Sequence, residues 1–176
     1  MKEGNIKDEN FIDSCVQGKQ VVVSCLGYHF DGFALWNQPV DAGYLTNVAR
    51  LIVKAMKRFS VKKAIVLGTS GGTDAWERSN WIYRLLVGVT VLKHNQEFMD
   101  EMEKVYQQEQ DLDICIVHPP HLVDEPFTGK AKLVETNNIF GRAKCPRADC
   151  AKWMVDEIHK EGDFECKSAI IRTDYD

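Results

Sequence analysis

The chain has 176 residues, of which 44% are hydrophobic and 27% charged, and its formal net charge is −4. This length is typical of one domain with a sizeable core, and the charge balance argues against binding to nucleic acid or to an anionic membrane. No stretch approaches the roughly 20 apolar residues of a transmembrane helix, and residues 1–20 are too charged for a secretory signal.

The first half of the chain alternates helical and strand patterns. Asp8–Val16 is interpreted as a short helix, and the continuous apolar run Val21–Leu26 predicts a strand. Apolar residues then recur at helical spacing from Val48 to Phe59, with the basic residues largely off that face. The β-branched run Ala64–Leu67 predicts a second strand.

The second half continues this alternation. Trp81–Gln108 has helical composition with a break near Gly88–Thr90, and Leu112–Val117 predicts a strand. Arg147–Ile158 predicts a helix and Cys166–Arg172 a fourth strand. Continuous apolar runs are typical of parallel strands covered on both faces, and strand–helix alternation favours right-handed βαβ units. We therefore predict an α/β fold with a mostly parallel sheet and helices on both faces.

The residues after three of these strands favour a ligand-binding cleft. Gly27–Tyr28 follows the first strand, Gly68–Gly72 the second, and His118–His121 the third. In parallel α/β sheets, ligands bind beyond the carboxyl ends of the strands. Glycine permits close approach to the backbone, hydroxyls offer hydrogen bonds, and the Pro119–Pro120 pair provides a rigid wall.

The six cysteines are scattered and form no C-x-x-C pair. Cys25 and Cys115 lie within apolar runs, where a free cysteine behaves as a small hydrophobic residue. His118 and His121 have H-x-x-H spacing, but nearby carboxylates alone do not make a metal site. We therefore expect a reduced, cytoplasmic protein without a bound metal.

Several short segments carry a family likeness in their order along nearly the whole chain. The segments are Gly4–Asn5, Phe11–Gly27, Thr46–Ser70, Pro119–Leu122 with Phe127–Gly129, and Pro146–Ala151. Together they resemble the atypical short-chain dehydrogenases/reductases, an NAD(P)-binding Rossmann family, in the branch that holds the biliverdin-IXβ/flavin reductase. Like that branch, the sequence lacks the Tyr-x-x-x-Lys pair of most short-chain dehydrogenases.

The resemblance implies a partial Rossmann-like three-layer fold, NADPH as the cofactor, and hydride transfer to a flat flavin or tetrapyrrole substrate. It implies that Ser70 and His121 are the catalytic residues. The residues implied to contact the cofactor are Asn5, Gly27, Tyr28, Gly68, Thr69, Pro119 and Pro120. Asn5 replaces an aspartate of the family, which keeps the size of the side chain but removes its charge.

The sequence contains neither G-x-G-x-x-G nor G-x-x-G-x-x-G, the phosphate-binding loop of this family. By resemblance, residues 1–176 form a single domain that is truncated at its N-terminus relative to the family. Val21–Cys25 is then expected to be an exposed apolar edge strand. We therefore expect an oligomer, a poorly soluble fragment, or a helix at residues 8–16 that folds over this flank. The alternative function is a non-catalytic binding or regulatory module that has lost dinucleotide binding.

Structural roles compete with several of these assignments. Ser70 ends a strand, where a hydroxyl often only caps the following turn. His121 follows two prolines, and its side chain could simply be hydrogen-bonded within that loop. We interpret His118 as facing solvent, and we interpret the carboxylates of residues 93–104 as a solvated helix face. Asp149, at a helix start, is expected to serve the fold.

Overall fold

The computed structural model describes residues 2–27, 41, 43–69, 77, 81, 85, 92–135 and 144–173. The helices in this part of the chain are α1 (Glu9–Val16), α2 (Tyr44–Arg58), α3 (Leu92–Gln107) and α4 (Arg147–His159). The strands are β1 (Val21–Ser24), β2 (Lys63–Leu67), β3 (Asp113–His118), β4 (Leu122–Val123), β5 (Ala131–Val134), β6 (Cys145–Pro146) and β7 (Ser168–Thr173).

The main sheet has the strand order β1-β2-β3-β7-β5. β1, β2, β3 and β7 run parallel, whereas β5 pairs with β7 in the antiparallel sense. β4 and β6 form a separate parallel pair. Ser24 lies opposite Val66, and Leu67 lies opposite Val117, so the carboxyl ends of β1, β2 and β3 are level with one another. The predicted α/β fold with a mostly parallel sheet is confirmed.

The core lies in two layers because successive residues of a strand point to opposite faces. Ala64 and Val66 of β2 belong to a cluster formed with α2 and α3, whereas Ile65 belongs to a cluster formed with α4. The buried face of α2 includes Val48 and Ile52 at helical spacing, as the sequence predicts. Helices therefore cover both faces of the sheet. Among the described residues, no helix combines the length and the apolar character needed to span a bilayer.

The short helix α1 begins where the sequence predicts it. The Asp8 carboxylate accepts a hydrogen bond from the Asn10 N–H at 2.9 Å and caps the first turn. α1 then packs against α2 through the buried residues Ile12 and Val16. It borders a groove of about 530 Å³ beside β1, and Val23 of β1 remains 50% exposed.

Some elements differ from the prediction. β1 ends at Ser24 rather than at Leu26, and β7 begins at Ser168 rather than at Cys166. β5 was not predicted, because its apolar residues are interrupted by Lys132 and the strand lies at the edge of the sheet. The break predicted near Gly88–Thr90 lies outside the described residues.

Candidate functional site

The residues that follow β1, β2 and β3 share one edge of the sheet. Gly68 donates its N–H to the carbonyl of Val117 at 2.9 Å, which extends the pairing of β2 with β3 beyond Leu67. Thr69 and His118 also meet, since the ring Nδ1 lies 2.6 Å from the Thr69 carbonyl oxygen. Because β1 is in parallel register with β2, its continuation towards Gly27 leaves the sheet at the same edge.

A tyrosine links the end of β1 to the start of α2. The Tyr44 hydroxyl donates a hydrogen bond to the Gly27 carbonyl, and the Lys7 ammonium lies 5.9 Å from the centroid of the Tyr44 ring. Partial burial and the neighbouring Asp41 raise the pKa of Tyr44, so that its hydroxyl stays protonated and able to donate. The Tyr44 side chain thus links Gly27 to the start of α2.

Asn5 lies on this side of the molecule, in the turn that leads into α1. Its side-chain oxygen accepts a hydrogen bond from the Lys7 N–H at 3.0 Å, as in an Asx-turn. Because Lys7 reaches the Tyr44 ring, the Asn5 turn lies near the end of β1. The exposed position of Asn5 leaves its predicted contact with the cofactor sterically open.

The two glycines predicted to contact the cofactor have different surroundings. A β-carbon on Gly27 would meet no atom within 4 Å, so its backbone is open to a ligand. A β-carbon on Gly68 would overlap the Glu103 carboxylate and lie 2.9 Å from the Ile116 Cγ2. Close packing against α3 and β3 therefore explains why position 68 is glycine.

A buried glutamate–histidine pair lies directly behind this edge. Glu103 and His118 have no exposed surface, and the Glu103 Oε1 is 3.7 Å from the His118 Nδ1. The expectation that His118 faces solvent is wrong. The interpretation of the carboxylates of residues 93–104 as a solvated helix face is also wrong for Glu103, which is buried. The sequence signal for Glu103 is its place between Met99 and Tyr106, at helical spacing on the apolar face of α3.

Residues 119–121, here called the proline corner, have a buried and an accessible part. Pro119 is buried, Pro120 is half-buried and His121 is exposed. The His121 carbonyl accepts a hydrogen bond from the Cys145 N–H at 2.8 Å, which begins the pairing of β4 with β6. The corner therefore has a fixed backbone, and the ring of His121 reaches solvent at the same sheet edge as Thr69.

The Phe127–Gly129 loop is bound to the start of α4 by one carboxylate. Asp149 is 1% exposed, and its Oδ1 accepts hydrogen bonds from the N–H groups of Thr128 at 2.8 Å and Gly129 at 3.1 Å. Its Oδ2 accepts hydrogen bonds from the hydroxyls of Thr128 and Thr173. Burial raises the pKa of Asp149, but these hydrogen bonds outweigh it and hold the pKa below the usual value. The structural role expected for Asp149 is confirmed.

An apolar pocket of about 310 Å³ opens between the sheet and α4. Cys25, Leu67 and Leu122 line it from the sheet side, and Met154 lines it from α4. Cys25, Leu67 and Leu122 are close in sequence to predicted site residues. Their apolar side chains form a surface that suits one face of a flat ring such as nicotinamide. The residues present thus fit the nicotinamide end of the cofactor, whereas the sequence has no glycine-rich loop for the pyrophosphate.

Two predicted site residues, Tyr28 and Ser70, lie outside the described residues. Their chain neighbours Gly27 and Thr69 lie at the carboxyl edge of the sheet, as described above. Within the described ranges, no group of three or more histidine, cysteine, aspartate or glutamate side chains is arranged to hold a metal ion.

The sequence matches the family described as NAD(P)H-binding over residues 1–161. A comparison with curated proteins finds no significant match.

Solved structures with a similar fold include three bacterial proteins. ChuY, an anaerobillin reductase from Escherichia coli, has a TM-score of 0.71 at 16% identity, over 97% of this chain and 73% of that one. A short-chain dehydrogenase/reductase from Veillonella parvula, in complex with NADP, has a TM-score of 0.72 at 16% identity, over 97% and 70%. A Rossmann-fold NAD(P)-binding family protein from Shigella flexneri has a TM-score of 0.60 at 21% identity, over 98% and 71%. At these identities the similarity establishes a Rossmann-like fold.

Proposed function

Because the chain belongs to the NAD(P)H-binding family, we propose that it is an oxidoreductase that transfers a hydride from NADPH to a flat conjugated substrate of the flavin or tetrapyrrole class. The observation that carries this proposal is the convergence of the carboxyl ends of β1, β2 and β3 at one edge. In doubly wound α/β folds this edge is where the cofactor and substrate meet.

Two of the similar structures support the chemistry and the cofactor. ChuY is titled an anaerobillin reductase, and the Veillonella parvula protein is in complex with NADP. Both cover nearly the whole of this chain with TM-scores above 0.7. We therefore assign NADPH as the electron donor of the proposed reaction.

The residues at the carboxyl edge of the sheet are proposed to have three roles: some present a surface to the nicotinamide ring, some form a wall beside it, and some offer polar groups. The reduced nicotinamide, when bound, supplies the hydride. The open backbone at Gly27 and the apolar side chains of Leu67 and Leu122 provide surfaces against which a ring packs. His121 forms the wall with Pro120, and its exposed imidazole ring has N–H groups that can donate a proton to the reduced substrate.

Three further predicted residues complete the proposed site. Ser70 donates a hydrogen bond to the nicotinamide or the substrate, and Tyr28 borders the cofactor groove. Asn5, in the turn before α1, contacts the adenine end of the cofactor. These roles rest on the family resemblance and are part of the proposal.

The alternative is a binding or regulatory module, and the missing phosphate loop favours it. Each charge-assisted hydrogen bond from such a loop contributes about 1.5–3 kcal/mol, so the loss of three weakens binding by about 4.5–9 kcal/mol. This difference is on the order of a thousandfold or more in the dissociation constant. Dinucleotide affinity therefore separates the two functions.

The deciding experiment is a calorimetric titration of the 176-residue chain with NADPH, followed by an assay of NADPH oxidation with a flavin or biliverdin as acceptor. Micromolar binding and acceptor-dependent oxidation support the reductase, whereas undetectable binding supports the module. His121→Ala is expected to reduce the oxidation rate. His159→Ala is the matched control, since His159 is exposed near the end of α4 and hydrogen-bonds within that helix.

We also propose that the protein self-associates through its first strand. Within the described part of the chain, β1 pairs only with β2, and it carries no charged residue. Val23 is half exposed and lies beside both the groove at α1 and the pocket at α4. An uncharged, accessible edge strand is the kind of surface that pairs with a strand of a second copy.

A further inference from the structure

Thr69 is hydrogen-bonded on both sides of its backbone by one buried pair of side chains. Its N–H donates to the Glu103 Oε1 at 3.3 Å, and its carbonyl lies 2.6 Å from the His118 Nδ1. Glu103 comes from α3 and His118 from the last position of β3. The first residues after β2 are therefore attached to two other elements of the fold.

The hydrogen bond to Thr69 fixes the protonation of one ring nitrogen. A carbonyl oxygen can only accept a hydrogen bond, so the Nδ1 of His118 must carry a proton. The Glu103 carboxylate, 3.7 Å away, stabilises positive charge on that ring. We therefore assign His118 either the Nδ1–H tautomer or the imidazolium form.

Stability alone is a poor explanation for this pair. Both side chains have no exposed surface, and well-packed apolar residues of similar volume often stabilise a core as well as a buried ion pair does. What apolar residues cannot do is bind the N–H and the carbonyl of Thr69. The arrangement also depends on Gly68, because any side chain there would overlap the Glu103 carboxylate.

We propose that Glu103 and His118 are positioning residues, which hold the backbone of Thr69 in the orientation that the reaction requires. This inference rests on the proposed function. The Thr69 backbone is itself a predicted cofactor contact, and it lies at the carboxyl edge of the sheet, where the proposed reaction takes place. Neither Glu103 nor His118 needs to touch the substrate.

The first test does not depend on activity. Nitrogen NMR of the histidine-labelled protein is expected to show a protonated Nδ1 on His118, with slow exchange of that proton because the ring is buried. The Thr69 amide is likewise expected to be protected from exchange. A neutral Nε2–H tautomer, which leaves Nδ1 without a proton, would overturn the assignment even if the protein were an active reductase.

The second test compares two variants of nearly equal shape. His118→Asn keeps an N–H donor at the position of Nδ1, whereas His118→Leu removes it. We expect His118→Leu to lower kcat for NADPH oxidation on the order of a hundredfold, the usual effect of a small misplacement at a reacting centre. We expect His118→Asn to recover most of that loss and KM for NADPH to change little in either variant. Equal kcat values for the two variants would contradict the proposal.

Two variants of Glu103 cover the case in which His118→Leu does not fold. Glu103→Gln keeps an oxygen that accepts from the Thr69 N–H but removes the charge. It is expected to preserve the slow exchange of the Thr69 amide, whereas Glu103→Met is expected to abolish it in a folded protein. If Glu103→Met leaves that exchange rate unchanged, the positioning role is wrong. If the wild-type chain shows the protonated His118 Nδ1 and the protected Thr69 amide but has no reductase activity, the proposed function is wrong. The hydrogen bonds that hold the Thr69 backbone are then still confirmed.

Discussion

Gly68 and Glu103 pack so closely that a single β-carbon cannot be placed between them. The carboxylate of Glu103 occupies the space beside the Gly68 α-carbon, and the methyl group of Ile116 would lie 2.9 Å from the added atom. Because Glu103 is also hydrogen-bonded to Thr69, it cannot swing aside without losing that bond.

Gly68→Ala is therefore expected to destabilise the fold by about 1–3 kcal/mol, the usual effect of overpacking a core. The free energy of unfolding in urea measures this change. Gly27→Ala is the matched control for stability, since a β-carbon there meets nothing within 4 Å, and its effect is expected to stay within about 1 kcal/mol of zero. Equal effects for the two variants would contradict this account.

Glu103 and His118 are expected to be energetically coupled. Removing one partner of a buried pair leaves the other polar group uncompensated, so Glu103→Met or His118→Leu alone should cost about 3–5 kcal/mol of unfolding free energy. The double variant should cost less than the sum of the two, by about 0.5–3 kcal/mol. A double-mutant cycle from urea unfolding checks this, and strict additivity would show that the two side chains do not act together.

Asp149→Ala is expected to release the Phe127–Gly129 loop. The substitution removes the carboxylate that accepts hydrogen bonds from the backbone N–H groups of Thr128 and Gly129. We therefore expect the free energy of unfolding to fall by about 2–4 kcal/mol. Faster proteolytic cleavage in residues 124–130 is the second readout. Asp156→Ala, on the exposed face of the same helix, should change stability by less than about 1 kcal/mol.

The lowered pKa of Asp149 predicts an acid-sensitive component of stability. A folded-state pKa below the unfolded value means that the unfolded chain binds more protons, so stability rises with pH. The contribution is fully present above the unfolded pKa of about 3.9 and is lost as the pH falls through the folded pKa. Urea unfolding between neutral pH and about pH 3 should show a weaker pH dependence for Asp149→Asn than for the wild type. An identical dependence would argue against the assignment.

Val23→Lys is expected to abolish the proposed self-association without unfolding the protein, because Val23 is 50% exposed and a lysine on an edge strand disfavours pairing with another strand. Sedimentation velocity measures the association state. Leu133→Lys is the matched control, since Leu133 is equally exposed, at 50%, but lies on the opposite edge strand β5. If Leu133→Lys has the larger effect, the interface lies elsewhere.

The family and most of the fold were predictable from local pattern. The runs around Ile65 and Ile116 are apolar without alternation because both faces of those strands are covered. The run around Val22 is apolar although Val23 is half exposed at the sheet edge, and the sequence predicts all three runs as strands. The NAD(P)-binding family implied by the ordered segments is confirmed by the match over residues 1–161. β5 was missed, since an edge strand with Lys132 at its centre has no continuous apolar run.

The sequence predicts that the glycine and proline residues at the strand ends share one edge of the sheet, and the structure places Gly27, Gly68 and Pro119 there. The contacts that support this edge were not predictable. The predictions for Glu103 and His118 are wrong because polar residues are usually exposed, whereas tertiary contacts, including those with Thr69, satisfy these two side chains in the interior. Tyr28 and Ser70 lie outside the described residues, so their roles stay predictions.

In the described part of the chain, the two borders of the sheet differ in chemistry, and this difference would limit the size of an assembly formed by the proposed self-association. β5 carries Lys132 and directly follows Lys130, whereas β1 has no ionisable side chain. Two copies joined β1 to β1 about a two-fold axis would present only lysine-bearing borders outward, which repel further strands. Growth would then stop after one pairing event, and the product would be a closed dimer rather than a filament.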